Sequence, residues 1–286
     1  MRVAVTGASG VLGRRLVAAL QAGGHDVLAL VRDPARATAS AVAWQLGAPA
    51  PLDGIEALIH AAAHRPARFG DPAEASACLA ANAAGTATLA ADAAAAGVAH
   101  LVYVSAGNVY RDPGRPATED DPIEVGERAP YYLGSKVCGE WFAAAAGPAR
   151  VTAVRPAALY GPGMPPGLVS TFVARLGAGE AVTVADGGRY QADLVHVDDV
   201  AEATVAVLTR GRAPAYNLGS GAPTTALALA REIAALVGAG PDRIEVAPPA
   251  GDPPGFVALD IARARADLGF APRPLRDGLR TLLGAP

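Results

Sequence analysis

Two side chains one helical turn apart have the residue types needed to move a proton at a substrate oxygen. Tyr132 and Lys136 are four residues apart, so on a helix they share one face. A free phenol has a pKa near ~10 and is a poor base at neutral pH, but a neighbouring ammonium favours its ionised form. The spacing therefore predicts that Tyr132 is a general acid and base and that Lys136 assists it.

The lysine of this pair is distinctive within the chain. The sequence contains 24 lysine and arginine residues, and Lys136 is the only lysine among them. A chain that uses arginine wherever positive charge is needed keeps a lysine where arginine would not serve. An ammonium is a compact charge with three donors, which suits the two hydroxyls of a ribose better than a planar guanidinium does.

A glycine-rich turn near the start of the chain predicts where such a ribose would be held. Residues 6–13 (TGASGVLG) follow a predicted strand and open a predicted helix. Gly7 permits the tight turn, Gly10 lets the backbone approach a pyrophosphate, and Gly13 lets the helix pack closely on the strand. With Tyr132, this turn predicts hydride exchange between a nicotinamide dinucleotide and a hydroxyl or keto carbon. The residues expected to contact the cofactor here are Gly7, Ala8, Ser9, Gly10, Val11, Leu12 and Gly13.

The end of the second strand bears on the choice between the two nicotinamide dinucleotides. NAD sites usually place an acidic residue here to bind the ribose 2′-hydroxyl, whereas this chain has Val31 followed by Arg32. A guanidinium pairs well with a 2′-phosphate, so the sequence favours NADP over NAD. The alternative is that Asp33 caps a short helix at Pro34 and that Arg32 is solvated.

Hydrophobic periodicity predicts an α/β fold. Short apolar runs alternate with alanine-rich helical stretches, which implies a Rossmann-type, doubly wound parallel sheet covered on both faces. We expect residues 1–160 to form a dinucleotide-binding core and residues 161–286 to form mainly a smaller, interleaved substrate-binding region, with about 192–220 returning to the core. Strands are expected at 3–5, 27–31, 42–44, 57–60, 101–104 and 151–154, and helices at 11–22, 75–96 and 132–146.

Several segments together resemble the extended short-chain dehydrogenase/reductase family, the NAD-dependent epimerase/dehydratase group. The resemblance covers nearly the whole chain. Beside the glycine turn and the Tyr132/Lys136 pair, it rests on 58–63 (LIHAAA), Asn82 with Gly85-Thr86, 104–110 (VSAGNVY), 155–163 (RPAALYGPG), 195–201 (VHVDDVA), 216–221 (YNLGSG) and 268–270 (LGF).

The resemblance implies an enzyme and assigns further cofactor contacts. Ala61, Ala62 and Ala63 would line the adenosine side, and Pro156, Ala157 and Ala158 would approach the nicotinamide. Contacts from Asn82 and Val104 are also implied. Members of the family often dimerise through the two helices that here contain Asn82 and Lys136, which implies a homodimer.

The chain departs from the family where a third catalytic group is expected. The family's serine or threonine usually lies four residues before the tyrosine of a Val-Tyr-Gly element; that position is Ala106 here, with Ser105 one residue earlier. A one-residue step along a strand turns a side chain to the opposite face. Either a bulge at Gly107 re-aims Ser105 so that it completes the catalytic set, or a water or Asn108 serves, or catalysis is weakened. The family's dehydratases carry an Asp-Glu pair next, where this chain has no carboxylate, so dehydration is disfavoured.

The substrate is expected to be a small molecule. Nucleotide-sugar members tend to anchor the pyrophosphate with an arginine that is Ala192 here and with another from the segment that is 248–250 (PPA) here. Losing both leaves phosphate charges poorly paired, although Arg189 is near enough in sequence to substitute. The sequence thus favours a small or sugar-like hydroxy or keto substrate, with a nucleotide-sugar 4-epimerase or 4-ketoreductase as the alternative. A catalytically weak NADP-binding regulator or scaffold is the alternative from another class. The expected substrate contacts are Ala106, Gly107, Asn108 and Arg189.

Composition and charge disfavour other classes. A net charge of −3 gives no basic field for nucleic acid, and no apolar run is long enough to span a membrane. His60 and His64 have no carboxylate or thiolate at ligand spacing, so no metal is expected. The acidic run at 119–121 is expected to be solvated. Cys78 and Cys138 form no CxxC pair and no targeting segment precedes the first strand, so a reducing, cytoplasmic location is expected.

Overall fold

Strands and helices alternate along the chain in the computed structural model, which describes residues 1–126, 129–251, 255–256 and 258–284. The strands are β1 (Arg2–Thr6), β2 (Asp26–Val31), β3 (Ser40–Ala43), β4 (Ala57–His60), β5 (His100–Val104), β6 (Arg150–Pro156), β7 (Ala158–Tyr160), β8 (Val182–Val184), β9 (Gln191–His196), β10 (Ala215–Leu218), β11 (Pro223–Thr225) and β12 (Ile244–Val246). The α-helices are α1 (Val11–Ala22), α2 (Ala75–Cys78), α3 (Thr86–Ala95), α4 (Pro130–Ala146), α5 (Leu168–Gly177), α6 (Val197–Arg210), α7 (Ala226–Val237), α8 (Ala262–Leu268) and α9 (Leu275–Leu282).

Seven strands form one parallel sheet in the order β10-β6-β5-β4-β1-β2-β3. The strand order reverses between β1 and β4, because the chain first builds outward through β2 and β3 and then returns to build through β4, β5 and β6. Ligands of open parallel sheets bind outside the carboxyl ends of the strands at such a reversal. The glycine turn and the segments that follow β4, β5 and β6 lie at this edge.

The strands are apolar because helices cover both faces of the sheet. Every residue of β5 is buried, as expected for a central parallel strand. Along β1, Val3 and Val5 join a core with side chains from α1 and α6, whereas Ala4 joins a second core with side chains from α3 and α4. The predicted Rossmann-type architecture is confirmed, and the predicted strands are present with small shifts at their ends.

The long helix predicted at 75–96 contains an irregularity that the sequence did not predict. A π-helical segment (Leu79–Gly85) lies between α2 and α3. This segment packs tightly on α4, because a Cβ at Gly139 would collide with the carbonyl oxygen of Asn82 and with the Tyr103 hydroxyl. Such segments are rare and frequently occur at functional sites.

The C-terminal half adds two small sheets beside the main one. β7, β9 and β11 form one, and β8 and β12 form the other. The buried carboxylate of Asp193 accepts hydrogen bonds from the Ser220 N–H (2.6 Å), the Ser220 hydroxyl (2.7 Å) and the Leu259 N–H (3.0 Å), so it ties β9 to the two segments that follow. The division of the chain at residue 160 stays a prediction. In the part of the chain that the structure describes, none of the helices is long and apolar enough to cross a membrane.

Candidate active site

In the glycine turn after β1, close backbone contacts leave no room for a side chain at Gly7 or at Gly13. Gly7 has a φ of +67°, and a Cβ there would lie 2.7 Å from the Ala62 nitrogen. A Cβ at Gly13 would collide with the Gly7 carbonyl oxygen, so α1 starts directly against the turn. Gly7 therefore permits the tight turn, and Gly13 permits the close packing of α1, as the sequence predicts.

The first turn of α1 remains available to an anion. Gly10 is the N-cap, and no side chain caps the helix. The Gly10 N–H donates to the Gly7 carbonyl (2.9 Å), and the N–H groups that follow begin the helix with the positive end of its dipole. This cradle of backbone donors without side chains fits the phosphates of a dinucleotide. Ala8 is buried, whereas Ser9, Val11 and Leu12 are half-buried along the same turn.

The end of β4 is fixed beside the turn by a buried histidine. The Thr86 hydroxyl donates to the Asn82 carbonyl (2.7 Å), so it accepts from His60 Nε2 (3.0 Å). His60 Nδ1 then accepts from the Thr6 hydroxyl (2.7 Å), which itself accepts from the Ala62 N–H (3.1 Å). Burial and the nearby Lys136 charge lower the His60 pKa to about 3, so the ring is neutral. This network holds Ala61, Ala62 and Ala63 against the glycine turn.

Lys136 is buried at the same edge of the sheet, on α4. Its side chain is 2% exposed, and Nζ lies 4.3 Å from the ring centroid of Tyr103. Burial lowers the Lys136 pKa to about 7, against the opposing effect of the Glu140 carboxylate one turn later. Burial thus holds the Lys136 pKa well below the ordinary value for a lysine.

Tyr132 lies one turn before Lys136 on the same face of α4. This helix starts two residues earlier than predicted, because proline is well suited to the first turn of a helix. The Tyr132 ring packs edge-on against Phe69, with 5.3 Å between centroids. Burial raises the Tyr132 pKa, and the positive charge of Arg65 opposes that effect. Desolvation outweighs the Arg65 charge at Tyr132, so the phenolate is not favoured in the protein alone.

Asn82 joins the loop after β4 to α4, the helix that bears the predicted catalytic pair. Its Oδ1 accepts from the His64 N–H (2.7 Å), and its Nδ2 donates to the His64 carbonyl (3.0 Å) and to the Ser135 hydroxyl (3.0 Å). The Ser135 hydroxyl donates to the Tyr132 carbonyl (2.8 Å). Asn82 thus holds the site together, although its predicted contact with a cofactor stays a prediction.

Beyond the end of β5, backbone hydrogen bonds to β6 continue at Ser105 and Gly107. The Ser105 N–H donates to the Val154 carbonyl (2.8 Å) and the Gly107 N–H to the Pro156 carbonyl (2.8 Å), so no bulge at Gly107 re-aims Ser105. Since residues two apart share a face, Ser105 leaves the strand on the same side as Tyr103, which is the side of Lys136. Its hydroxyl is buried and has no hydrogen-bond partner among the described residues. Ala106 is buried in the core that Val104 also joins and against which Tyr132 packs.

The remaining predicted cofactor and substrate residues lie at this edge or near it. Val104 ends β5, Pro156 ends β6, and Ala157 is linked to β10 by its N–H, which donates to the Leu218 carbonyl (2.9 Å). Val104 and Ala157 are buried, whereas Ala158 and Asn108 are half-buried.

Two predicted anion-binding arginines differ in their surroundings. Arg32 is exposed, and Asp33 caps the short turn at Pro34 by accepting from the Ala35 N–H (3.1 Å). Arg189 is paired with Asp186 (2.5 Å) and also donates to the Gly251 carbonyl (2.8 Å). The carboxylate of Asp186 offsets the charge that Arg189 would offer to a phosphate.

A buried polar network that the sequence did not predict links α4 to β6 and β10 next to the site. Arg155 pairs with Glu140 and donates to the Tyr110 hydroxyl (2.7 Å), which donates to Asn217 Oδ1 (2.7 Å). The Asn217 N–H donates to Glu119 (2.8 Å). The expectation that the acidic run at 119–121 is solvated is therefore wrong for Glu119, whose side chain is 4% exposed. The Arg-Pro at the end of β6 and the Asn in β10 were visible in the sequence, but their partners lie too far along the chain to be inferred.

No metal centre is visible in the described ranges, where no group of three or more His, Cys, Asp or Glu side chains is placed to hold an ion. His60 is enclosed by its two threonines, and His64 Nε2 lies 2.7 Å from the Glu74 carboxylate.

The sequence matches the model of the NAD dependent epimerase/dehydratase family over residues 3–219. It is 33% identical to a UDP-glucose 4-epimerase from Mycolicibacterium smegmatis, covering 96% of this chain and 94% of that enzyme. It is 32% identical to a dTDP-4-dehydro-6-deoxy-D-allose reductase from Streptomyces bikiniensis over 64% of this chain. That match spans 59% of the reductase.

Solved structures of similar proteins share the fold. MoeE5 in complex with UDP-glucose and NAD superposes with a TM-score of 0.83 at 27% identity, covering 99% of this chain and 98% of MoeE5. DesIV, a dTDP-glucose 4,6-dehydratase from Streptomyces venezuelae with NAD bound, superposes with a TM-score of 0.82 at 28% identity, covering 99% of this chain and 96% of DesIV. Epimerases, reductases and dehydratases are thus all among the similar proteins.

The two glycines of the turn are expected to respond differently to an added methyl group. Gly13→Ala lowers the free energy of unfolding by about 2–3 kcal/mol, because its methyl meets the Gly7 backbone. Gly10→Ala, whose Cβ lies 3.1 Å from the Gly7 oxygen, keeps most of the stability but weakens NADH binding at least about tenfold by filling the cradle. Urea denaturation and NADH fluorescence titration measure the two effects. Unchanged NADH binding by Gly10→Ala contradicts the cradle.

Proposed function

Because the chain belongs to the NAD dependent epimerase/dehydratase family, we propose that it transfers a hydride between a nicotinamide dinucleotide and a hydroxyl or keto carbon. The observation that carries this proposal is the buried Lys136, with Tyr132 one turn away, at the sheet edge where the glycine turn lies. The resemblance inferred from the sequence is confirmed by the family match.

Each residue of the site has a proposed task. The backbone of residues 7–13 holds the phosphates, and Lys136 donates to the ribose hydroxyls. The dinucleotide, when bound, supplies the hydride donor or acceptor. Tyr132, whose pKa is raised by burial, keeps its proton at neutral pH and gives it to a substrate carbonyl oxygen. In the reverse direction the ionised Tyr132 takes a proton from the substrate hydroxyl, and the charge of Lys136 favours that ionised form.

Ser105 is our proposed third member of the catalytic set. Its buried, unpartnered hydroxyl on the Lys136 side supports this assignment, since buried polar groups ordinarily have a partner. Ala106 offers no hydroxyl and is part of the buried core. A substrate oxygen would satisfy Ser105 and be oriented by it.

The proposed reaction is reduction or epimerisation of a small or sugar-like substrate. Neither Gly107 nor Asn108 supplies the carboxylate that elimination needs, which argues against dehydration although dehydratases are among the similar proteins. Ala192 is buried and Arg189 is paired with Asp186, so a diphosphate has poor anchors among these residues. A nucleotide-sugar 4-epimerase or 4-ketoreductase is the second candidate, favoured by the full-length similarity to a UDP-glucose 4-epimerase.

The preferred dinucleotide and the assembly are proposed on separate observations. NAD in the similar complexes supports NAD as a cofactor, while the exposed Arg32 after β2 supports NADP.

A homodimer through α4 and the π segment is supported by Trp141 and Leu79, which are 57% and 50% exposed. Both cysteines are free thiols, which suits the proposed cytoplasmic location.

Removing the phenol hydroxyl tests the catalytic assignment. Tyr132→Phe is expected to lower the rate of NADPH or NADH oxidation with a ketone panel at least about 100-fold, because proton transfer is lost. Its affinity for the cofactor should stay within about threefold of the parent, since the hydroxyl is not needed for that binding. Tyr131→Phe, on the neighbouring half-buried tyrosine, is the matched control and should keep its activity. Cofactor binding without turnover by the parent protein would instead favour a regulator or scaffold.

Cofactor choice is tested at the end of β2. Arg32→Ala is expected to weaken NADPH binding about tenfold or more and to leave NADH binding unchanged, because only the 2′-phosphate pairs with the guanidinium. Arg231→Ala, an exposed arginine on α7, controls for loss of surface charge. If NADH binds the parent more tightly and Arg32→Ala changes neither affinity, the preference for NADP is wrong.

The homodimer is tested at Trp141. Trp141→Glu places a charge in the proposed interface and should convert a dimer to a monomer in light scattering after size-exclusion chromatography. Leu168→Glu, at a 39% exposed residue of α5, should leave the dimer intact. A parent protein that is already monomeric at micromolar concentration contradicts the assembly.

A further inference from the structure

The loop between β4 and α2 carries three basic side chains, of which two are paired with acids. His64 Nε2 lies 2.7 Å from Glu74, and Arg68 lies 3.1 Å from Asp71. The guanidinium of Arg65 instead lies over the Phe69 ring, 4.8 Å from its centroid. Within the described part of the chain, no carboxylate lies at ion-pair distance from Arg65.

The position of Arg65 is fixed from both sides. The residue before it, His64, has its backbone N–H and carbonyl held by the amide of Asn82. On the other side, Phe69 packs edge-on against Tyr132. The exposed guanidinium of Arg65 thus lies over a ring that itself contacts the ring of the proposed catalytic phenol.

Electrostatics agree with this placement. The Arg65 charge opposes the rise that burial causes in the Tyr132 pKa, so the guanidinium lies within electrostatic reach of the phenol. Three other cations near the site are paired with an acid or buried. Arg155 is paired with Glu140, Arg189 with Asp186, and Lys136 is buried against Tyr103.

A guanidinium stacked on a ring leaves the N–H groups along its edge free for a planar anion. We propose that Arg65 selects substrates that carry a carboxylate close to the reacting hydroxyl or keto carbon. This inference rests on the proposed function, because it takes the reacting oxygen to lie at Tyr132. A bidentate pair between Arg65 and the carboxylate then orients that carbon.

Two pairs of probes isolate the carboxylate. UDP-glucuronate and UDP-glucose differ in a carboxylate against a hydroxymethyl group, and benzoylformate and its methyl ester differ in a carboxylate against an ester. Calorimetry on the NADH- or NADPH-loaded protein should give at least about tenfold tighter binding of the acid in at least one pair, as a charge-assisted hydrogen bond provides. Arg65→Gln should abolish this preference. Arg68→Gln, which removes a charge from the same loop, should keep it.

The results separate this inference from the proposed function. Cofactor affinity is measured first, and a parent protein that binds neither NADH nor NADPH defeats the proposed function itself. If cofactor binds but the parent shows no preference for an acid in either pair, the role of Arg65 is wrong. It is also wrong if Arg65→Gln keeps the preference. Weaker cofactor binding by Arg65→Gln, with the acid preference intact, assigns Arg65 to a cofactor phosphate and overturns the inference.

Discussion

The burial of one ammonium group is the constraint on which the site depends. An unpaired charge in a protein interior is costly, and proteins respond by shifting the pKa or supplying compensating groups. Both responses occur at Lys136: its pKa falls to about 7, and the Tyr103 ring and the Glu140 carboxylate favour its charge. A lysine held in this state gains from ligands that accept hydrogen bonds, and ribose hydroxyls are such ligands.

The compensating carboxylate is itself part of a longer network. Glu140 is held by Arg155, and Arg155 is linked through Tyr110 to Asn217. These residues come from α4, the end of β6, the segment after β5 and β10, so the network joins the elements that surround Lys136. Asn82 provides a similar connection on the other side, from the π segment to the loop after β4 and to α4. The geometry around Lys136 and Tyr132 is thereby set by contacts made elsewhere.

Local patterns in the sequence were enough to predict the fold, the glycine turn and the Tyr132/Lys136 pair, because each depends on residues close together in the chain. The π segment could not be predicted, since it depends on the packing of Asn82 against α4 rather than on its own composition. The burial of Glu119 and the pairing of Arg189 with Asp186 likewise depend on folded contacts. The raised Tyr132 pKa also differs from the expectation, because the spacing of Tyr132 and Lys136 does not reveal the burial that raises it.

Since Lys136 is the only lysine, protein labelled with ε-15N lysine gives a single lysine side-chain NMR signal. We expect this signal to titrate near pH 7 in the protein alone, and to change its chemical shift and its titration when NADH or NADPH is added. A signal that titrates at the ordinary lysine value of about 10.4 and does not respond to either dinucleotide would contradict the account.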